Sequence, residues 1–273
     1  MFIFYPILRA PNCQGRTIVH NYPPNNWEVR KNYKKNINIT WSDGFIWRSK
    51  LIGSLDIDKS FVIKEEDLEF LPNGALALSS LSINELPSES MHLPEDIDMQ
   101  THLPEWRASI GLESILGANT SFQGEGHAFP SNGSLLSFSP FLQNGPHLSN
   151  YLLFINIEKS PIFRNTKLYF LKVNGSKIEF EISVTSNHIN IIKLDDLGYQ
   201  NNEIMVLLTK NIVGIPLFMT SYNGGKELSL EHTHPPASFA IHGDRWGLHS
   251  ELKKIWAEKF NNIIKSLHDQ NNI

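Results

Sequence analysis

Two histidines two residues apart, His232 and His234, lie in the stretch Leu228-Ser229-Leu230-Glu231-His232-Thr233-His234-Pro235-Pro236. On an extended segment, residues i and i+2 project to one face. Both imidazoles would therefore share the side of Leu228 and Leu230, with Glu231 facing away. Neutral imidazoles on a dry face need partners, and a divalent cation that accepts lone pairs from their ring nitrogens is one such partner. Pro235-Pro236 would end the strand and stiffen its exit. His242 comes soon after His234, with Asp244, Arg245 and His249 behind it, so further ligands lie within reach of a short loop. His232, His234 and His242 are the candidate metal ligands, for zinc, iron or manganese. The plainer alternative is a pair of histidines bonded to backbone carbonyls at a sheet rim, because an H-x-H pair arises by chance in many sequences.

A second concentration is Asn119-Thr120-Ser121-Phe122-Gln123-Gly124-Glu125-Gly126-His127. Its glycines allow tight bends, and its Gln, Glu and His can bond, move protons or bind a cation. Glu125 and His127 are the candidate catalytic pair, and Gln123 is a candidate ligand contact. Joined to the histidines above, they would suit metal-assisted hydrolysis if the site is tetrahedral with an open position, or iron or manganese chemistry if it is octahedral. Polar glycine-rich loops are also ordinary connections in β proteins. Trp106-Arg107 and Arg245-Trp246 set guanidinium forks beside large rings, which can clamp an anion or a sugar. Arg107, Arg245 and Trp246 complete the ligand contacts, although ring packing with a solvated charge is the commoner role.

Other chemistries lack their signatures. Neither Ser121 nor Ser137 sits in a G-x-S-x-G elbow, and there is no dinucleotide or phosphate-loop glycine pattern. Cys13 is the single cysteine, which excludes an intramolecular disulfide or a Cys-rich zinc site. A thiol near His20 could in principle react, but a lone cysteine is more often inert.

The bulk numbers suit a folded chain: 273 residues, 41% hydrophobic, 19% charged and a net charge of -4. The basic patch Arg30, Lys31, Lys34, Lys35 is too small for a nucleic-acid face and reads as a solvated turn. The apolar start MFIFYPIL has no charged leader and contains Pro6, and no segment is long enough to span a bilayer. The triplets at Asn38, Asn119, Asn132 and Asn174 match glycosylation acceptors but carry little weight without an export signal. The expected location is the cytoplasm, with no nucleic-acid or membrane partner.

The elements that would position these residues are mostly strands. From Leu135 to Thr233, short apolar segments alternate with turn residues. Strands are expected at Tyr151 to Ile157, Lys167 to Val173, Ile178 to Val184, His188 to Leu194, Glu203 to Thr209, Ile215 to Tyr222 and Lys226 to His234. Asn174-Gly175 and Asn223-Gly224-Gly225 would form turns. The first 50 residues read as short strands and ordered loops. Strands near Asp58 to Ile63 and Ala75 to Leu81 would be joined by a turn at Pro72-Asn73-Gly74. The acidic, proline-spaced stretch from Ser82 to Glu105 reads as a surface loop or linker. Leu252, Ile255, Trp256, Phe260, Ile263, Ile264 and Leu267 recur at helical spacing, so Ser250 to His268 would be an amphipathic helix covering a sheet.

The sequence thus predicts a mainly β protein: an antiparallel β-sandwich with a C-terminal amphipathic helix and a loop-rich N-terminal part. It reads as a single domain over 1–273, with a possible boundary in 82–105 that would separate 1–81 from 106–273. Two functions are expected from it. One is a metal-dependent enzyme acting on a small molecule or carbohydrate through a His/Glu-lined pocket. The other is a non-catalytic module that binds a carbohydrate or small ligand.

Overall fold

The structure is a computed structural model that describes residues 2–22, 34–101, 108–173, 177–199, 203–232 and 245–270. Its first part holds β1 (Tyr5–Ile7), β2 (Cys13–His20), β3 (Lys35–Ser42), β4 (Trp47–Leu55), β5 (Ser60–Lys64), β6 (Ala77–Ser82), β7 (Glu89–Ser90), β8 (Ala108–Ser114) and β9 (Asn119–Gly124). Its second part holds β10 (Leu136–Phe138), β11 (Leu148–Ile155), β12 (Asn165–Lys172), β13 (Ile178–Thr185), β14 (Ile189–Lys193), β15 (Met205–Leu208), β16 (Ile215–Tyr222) and β17 (Glu227–His232), followed by helix α1 (Arg245–Gln270).

The strands form four antiparallel sheets. Sheet 1 runs β1-β6-β3-β4-β7, sheet 2 runs β5-β2-β8-β9, sheet 3 runs β14-β11-β16-β17 and sheet 4 runs β10-β15-β12-β13. No described helix is long and apolar enough to cross a membrane.

Three apolar cores lie between these layers. Sheets 1 and 2 share the first core with one face of sheet 3, through Leu153, Ile155, Leu217, Met219 and Leu230. The opposite face of sheet 3 contributes Leu152, Phe154 and Phe218 to a second core, against Leu168, Phe170 and Leu207 of sheet 4. The far face of sheet 4 then meets α1 through Leu136, Val206, Leu208, Phe260 and Ile263. Burial of β11 on both faces explains why Tyr151 to Ile155 is an unbroken apolar run instead of an alternation.

Asn223, Gly224 and Gly225 adopt positive φ and turn β16 into β17. Asn174-Gly175 lies outside the described residues, but β12 and β13 on either side of it pair antiparallel.

Several expectations change. The described part of the first 50 residues is richer in strand than expected: β2 and β3 are each 8 residues long, and β4, 9 residues long, begins at Trp47. The strands expected near 58–63 and 75–81 exist but do not pair with each other, because β5 adds to sheet 2 and β6 to sheet 1. The described part of the 82–105 stretch is an ordered strap with Leu86, Leu93, Asp96 and Met99 buried. It connects β6 of sheet 1 to β8, which pairs with β2 from the start of the chain. Arg30 and Lys31 fall outside the described residues, whereas Lys35 opens β3 and is buried. Desolvation pushes its ammonium below the usual lysine range. On α1, Phe260 and Ile263 face the sheet, but Ile255 is 60% exposed and lies off the stripe.

Candidate functional site

β17 is the edge strand of sheet 3, and its two faces differ. Leu230 is buried, with Leu228 and His232 half-buried on the same side, while Glu227, Ser229 and Glu231 are exposed on the other. His232 therefore points toward the first core, and Glu231 points away from it. β9 is the edge strand of sheet 2 and runs beside β17. The Phe122 ring stacks on the His232 imidazole with centroids 5.8 Å apart and planes 29° apart. The two stretches with candidate chemistry, far apart in sequence, thus meet at a seam between two sheets.

Gly124 allows this approach. A Cβ there would lie 2.2 Å from Cε2 of Phe122, so only glycine leaves the ring in place. Beyond it the chain bonds to the N-terminal segment. The Gly126 amide donates to the Phe4 carbonyl at 2.7 Å, and the Phe4 amide donates back at 2.9 Å. The His127 Nδ1 lies 3.4 Å from the Phe2 carbonyl oxygen. Burial, with the nearby Glu125 charge adding to it, pushes the Tyr5 phenol well above its usual range. Gln123 is exposed, on the side of β9 opposite Phe122.

Among the described residues no group of three His, Cys, Asp or Glu side chains could hold a metal ion. His234, His242 and Arg107 lie outside the described residues. Arg245 opens α1 and Trp246 follows it, but their side chains are not described. Cys13 is buried in the first core, and desolvation pushes its thiol up, away from reactivity.

The exposed face of the same hairpin carries residues that the sequence did not single out. Two cross-strand rows, Asn150–Thr220–Ser229 and Leu148–Tyr222–Glu227, extend past Leu152 and Phe218, the last side chains that sheet 3 commits to the second core. Leu148, Thr220, Tyr222, Glu227 and Ser229 of these rows line a groove of about 300 Å³ with Leu228 at its edge, and Asn150 is buried beside them. The Tyr222 ring packs edge-on against His147 with centroids 6.2 Å apart.

Asn150 supports this groove through Thr220. Its side-chain NH2, with two hydrogens to share, lies 2.9 Å from the Gln143 carbonyl oxygen, 3.0 Å from Asp195 Oδ1 and 2.5 Å from Tyr199 Oη. Its Oδ1 accepts from the Thr220 hydroxyl at 2.9 Å. Thr220 is thereby oriented and keeps its oxygen lone pairs available. Desolvation, reinforced by Asp195, pushes the Tyr199 phenol up, so it remains a donor. The available signal was the alternation of Glu227, Ser229 and Glu231 after a glycine turn, which marks a wet face but not a concave one.

Glu227 and Glu231 share that face but cannot work as a close carboxylate pair. Four residues of strand separate them by about 13 Å, beyond the roughly 5–9.5 Å of glycosidase carboxylates. The sequence matches no family model, no curated protein and no solved structure.

Proposed function

We propose that this chain is a single-domain β-sandwich protein that binds a small polyhydroxylated ligand, a sugar or sugar-like molecule, in the groove on the β16–β17 hairpin. The supporting observation is the set of groups that converge there: an aromatic ring at Tyr222, a carboxylate at Glu227 and hydroxyls at Thr220 and Ser229, around about 300 Å³. Rings stack on the apolar faces of sugars, and carboxylates and hydroxyls pair with their OH groups. Glycan-array screening followed by calorimetry tests the reading. Tyr222→Ala and Glu227→Gln, both at exposed positions, are expected to abolish or weaken binding without loss of fold. Unchanged binding by both variants would remove the groove from the account.

A second reading places acid–base or metal chemistry at the seam, with Glu125, His127 and His232 as the working groups and zinc, iron or manganese as cofactor. The Phe122–His232 stack favours it, because it holds one imidazole at a sheet edge beside the strand that leads into Glu125 and His127. The described residues supply no complete ligand set for a metal. Elemental analysis of purified protein and of a His232→Ala, His234→Ala variant tests it. Stoichiometric metal lost in the variant is the expected result, and sub-stoichiometric metal in both samples ends the metal form of this reading.

A further inference from the structure

α1 covers only part of the outer face of sheet 4. Between the helix at 257–261 and the chain segments 134–136 and 208–211, a cleft of about 310 Å³ remains. Its floor is apolar, with Leu136, Leu208 and Phe260 all buried in the third core. Its rim is polar, with Lys210, Asn211 and Asn261 exposed. The Thr209 hydroxyl on its wall accepts the Leu135 amide at 2.9 Å and donates to the Ile212 carbonyl, so it is already committed.

Charge at the rim is one-sided. Lys210 Nζ stands 5.2 Å from the centroid of the Phe260 ring and forms no ion pair with any described residue. Among the described residues no acidic side chain lines the cleft. An ammonium held over a ring at the mouth of an apolar hollow attracts an anion whose remaining surface is apolar.

We propose that this cleft binds a small amphipathic monocarboxylate, its tail against Phe260, Leu136 and Leu208 and its carboxylate on Lys210, with the amides of Asn211 and Asn261 as further donors. The volume is at the lower end of the range for small-molecule sites, which points to a medium-chain or aromatic acid and not a long acyl chain. The site lies on sheet 4 and α1, apart from the Tyr222 groove on sheet 3, and does not depend on that groove having a function.

Calorimetry and thermal shift on the full chain, with octanoate, 1-octanol and octylamine as probes, test the proposal. Octanoate is expected to bind and raise Tm, 1-octanol to bind at least tenfold more weakly in keeping with a lost charge-assisted contact, and octylamine not to bind. Lys210→Glu should weaken octanoate about tenfold or more while leaving 1-octanol unchanged. Ala257→Phe, at an exposed helix position, should fill the cleft and remove both. Equal affinity for the three probes, unchanged octanoate binding in either folded variant, or no octanoate binding at millimolar concentration overturns it.

Discussion

The Phe122 ring lies on the His232 imidazole at 5.8 Å between centroids, and this contact joins the edge strands of two sheets whose described strands do not pair with each other. If the contact holds the seam, Phe122→Ala should cost about 2–3 kcal/mol, less than a fully buried phenylalanine because the ring is half-exposed. Gly124→Ala should have a similar effect by displacing the same ring, since its Cβ would stand 2.2 Å from Phe122. Urea denaturation checks both. Additive losses in the double variant would show that the two positions act separately.

The groove depends on Asn150, which is 1% exposed and bonded to three side chains and a carbonyl. Asn150→Ala would leave Asp195 and Tyr199 with lost partners in a desolvated place and should cost about 2–4 kcal/mol. Ligand binding at Tyr222 should weaken along with it, because Thr220 loses its orientation. Denaturation and calorimetry on one preparation would read both effects.

Glu158 is nearly fully buried, and its Oε1 accepts from Arg164 Nη2 at 2.5 Å. Arg164→Met removes the cation and leaves that carboxylate without its counter-ion. The expected loss is about 2–3 kcal/mol, below that of a fully enclosed pair because the Arg164 side chain is 34% exposed. Adding Glu158→Gln should recover part of the loss, a comparison that equilibrium unfolding can make directly.

Asp96 ties down the strap across sheet 1. Burial opposes its charged form, but hydrogen bonds from the Asn84 amide and side chain and from the Ile83 and Asp98 amides outweigh it and hold the carboxyl below its usual range. A carboxyl depressed in the folded state adds stability above the unfolded pKa, about 3.9, and loses it as pH falls through the lower folded value. Stability should therefore drop on acidification below about pH 4, and Asp96→Asn should flatten that drop. Unfolding curves at neutral pH and in the acid range are the measurement.

The second half of the fold was legible because its strands carry strong local signals. β13 alternates Ile178, Phe180, Ile182 and Val184 with polar residues, and β16–β17 is punctuated by Asn223-Gly224-Gly225. The first half hid its strands. The inward positions of β2 are Cys13, Gly15, Thr17 and Val19, too mixed in character to read as one apolar face. In β3 the polar side is also buried, with Asn38 bonded to Ser82 and Thr40 to Ser49, so hydroxyls and amides stand where apolar side chains would have announced a core. The alternation of Ile37, Ile39 and Trp41 was present but short, and a register shift interrupts it after Ile37. The orientation of His232 and the turn around Gly124 could be read from period and glycine content. Their meeting could not, since it depends on how two separate sheets stack.

The double burial of sheet 3 bears on how the molecule is made. The amino-terminal strands leave the ribosome first, yet the surface they bury against is supplied by Leu153, Ile155, Leu217 and Met219, which are synthesised later. Sheets 1 and 2 can bury part of that core against each other, but until those residues emerge a nascent chain ending near Gly126 lacks the share of the cover that sheet 3 supplies.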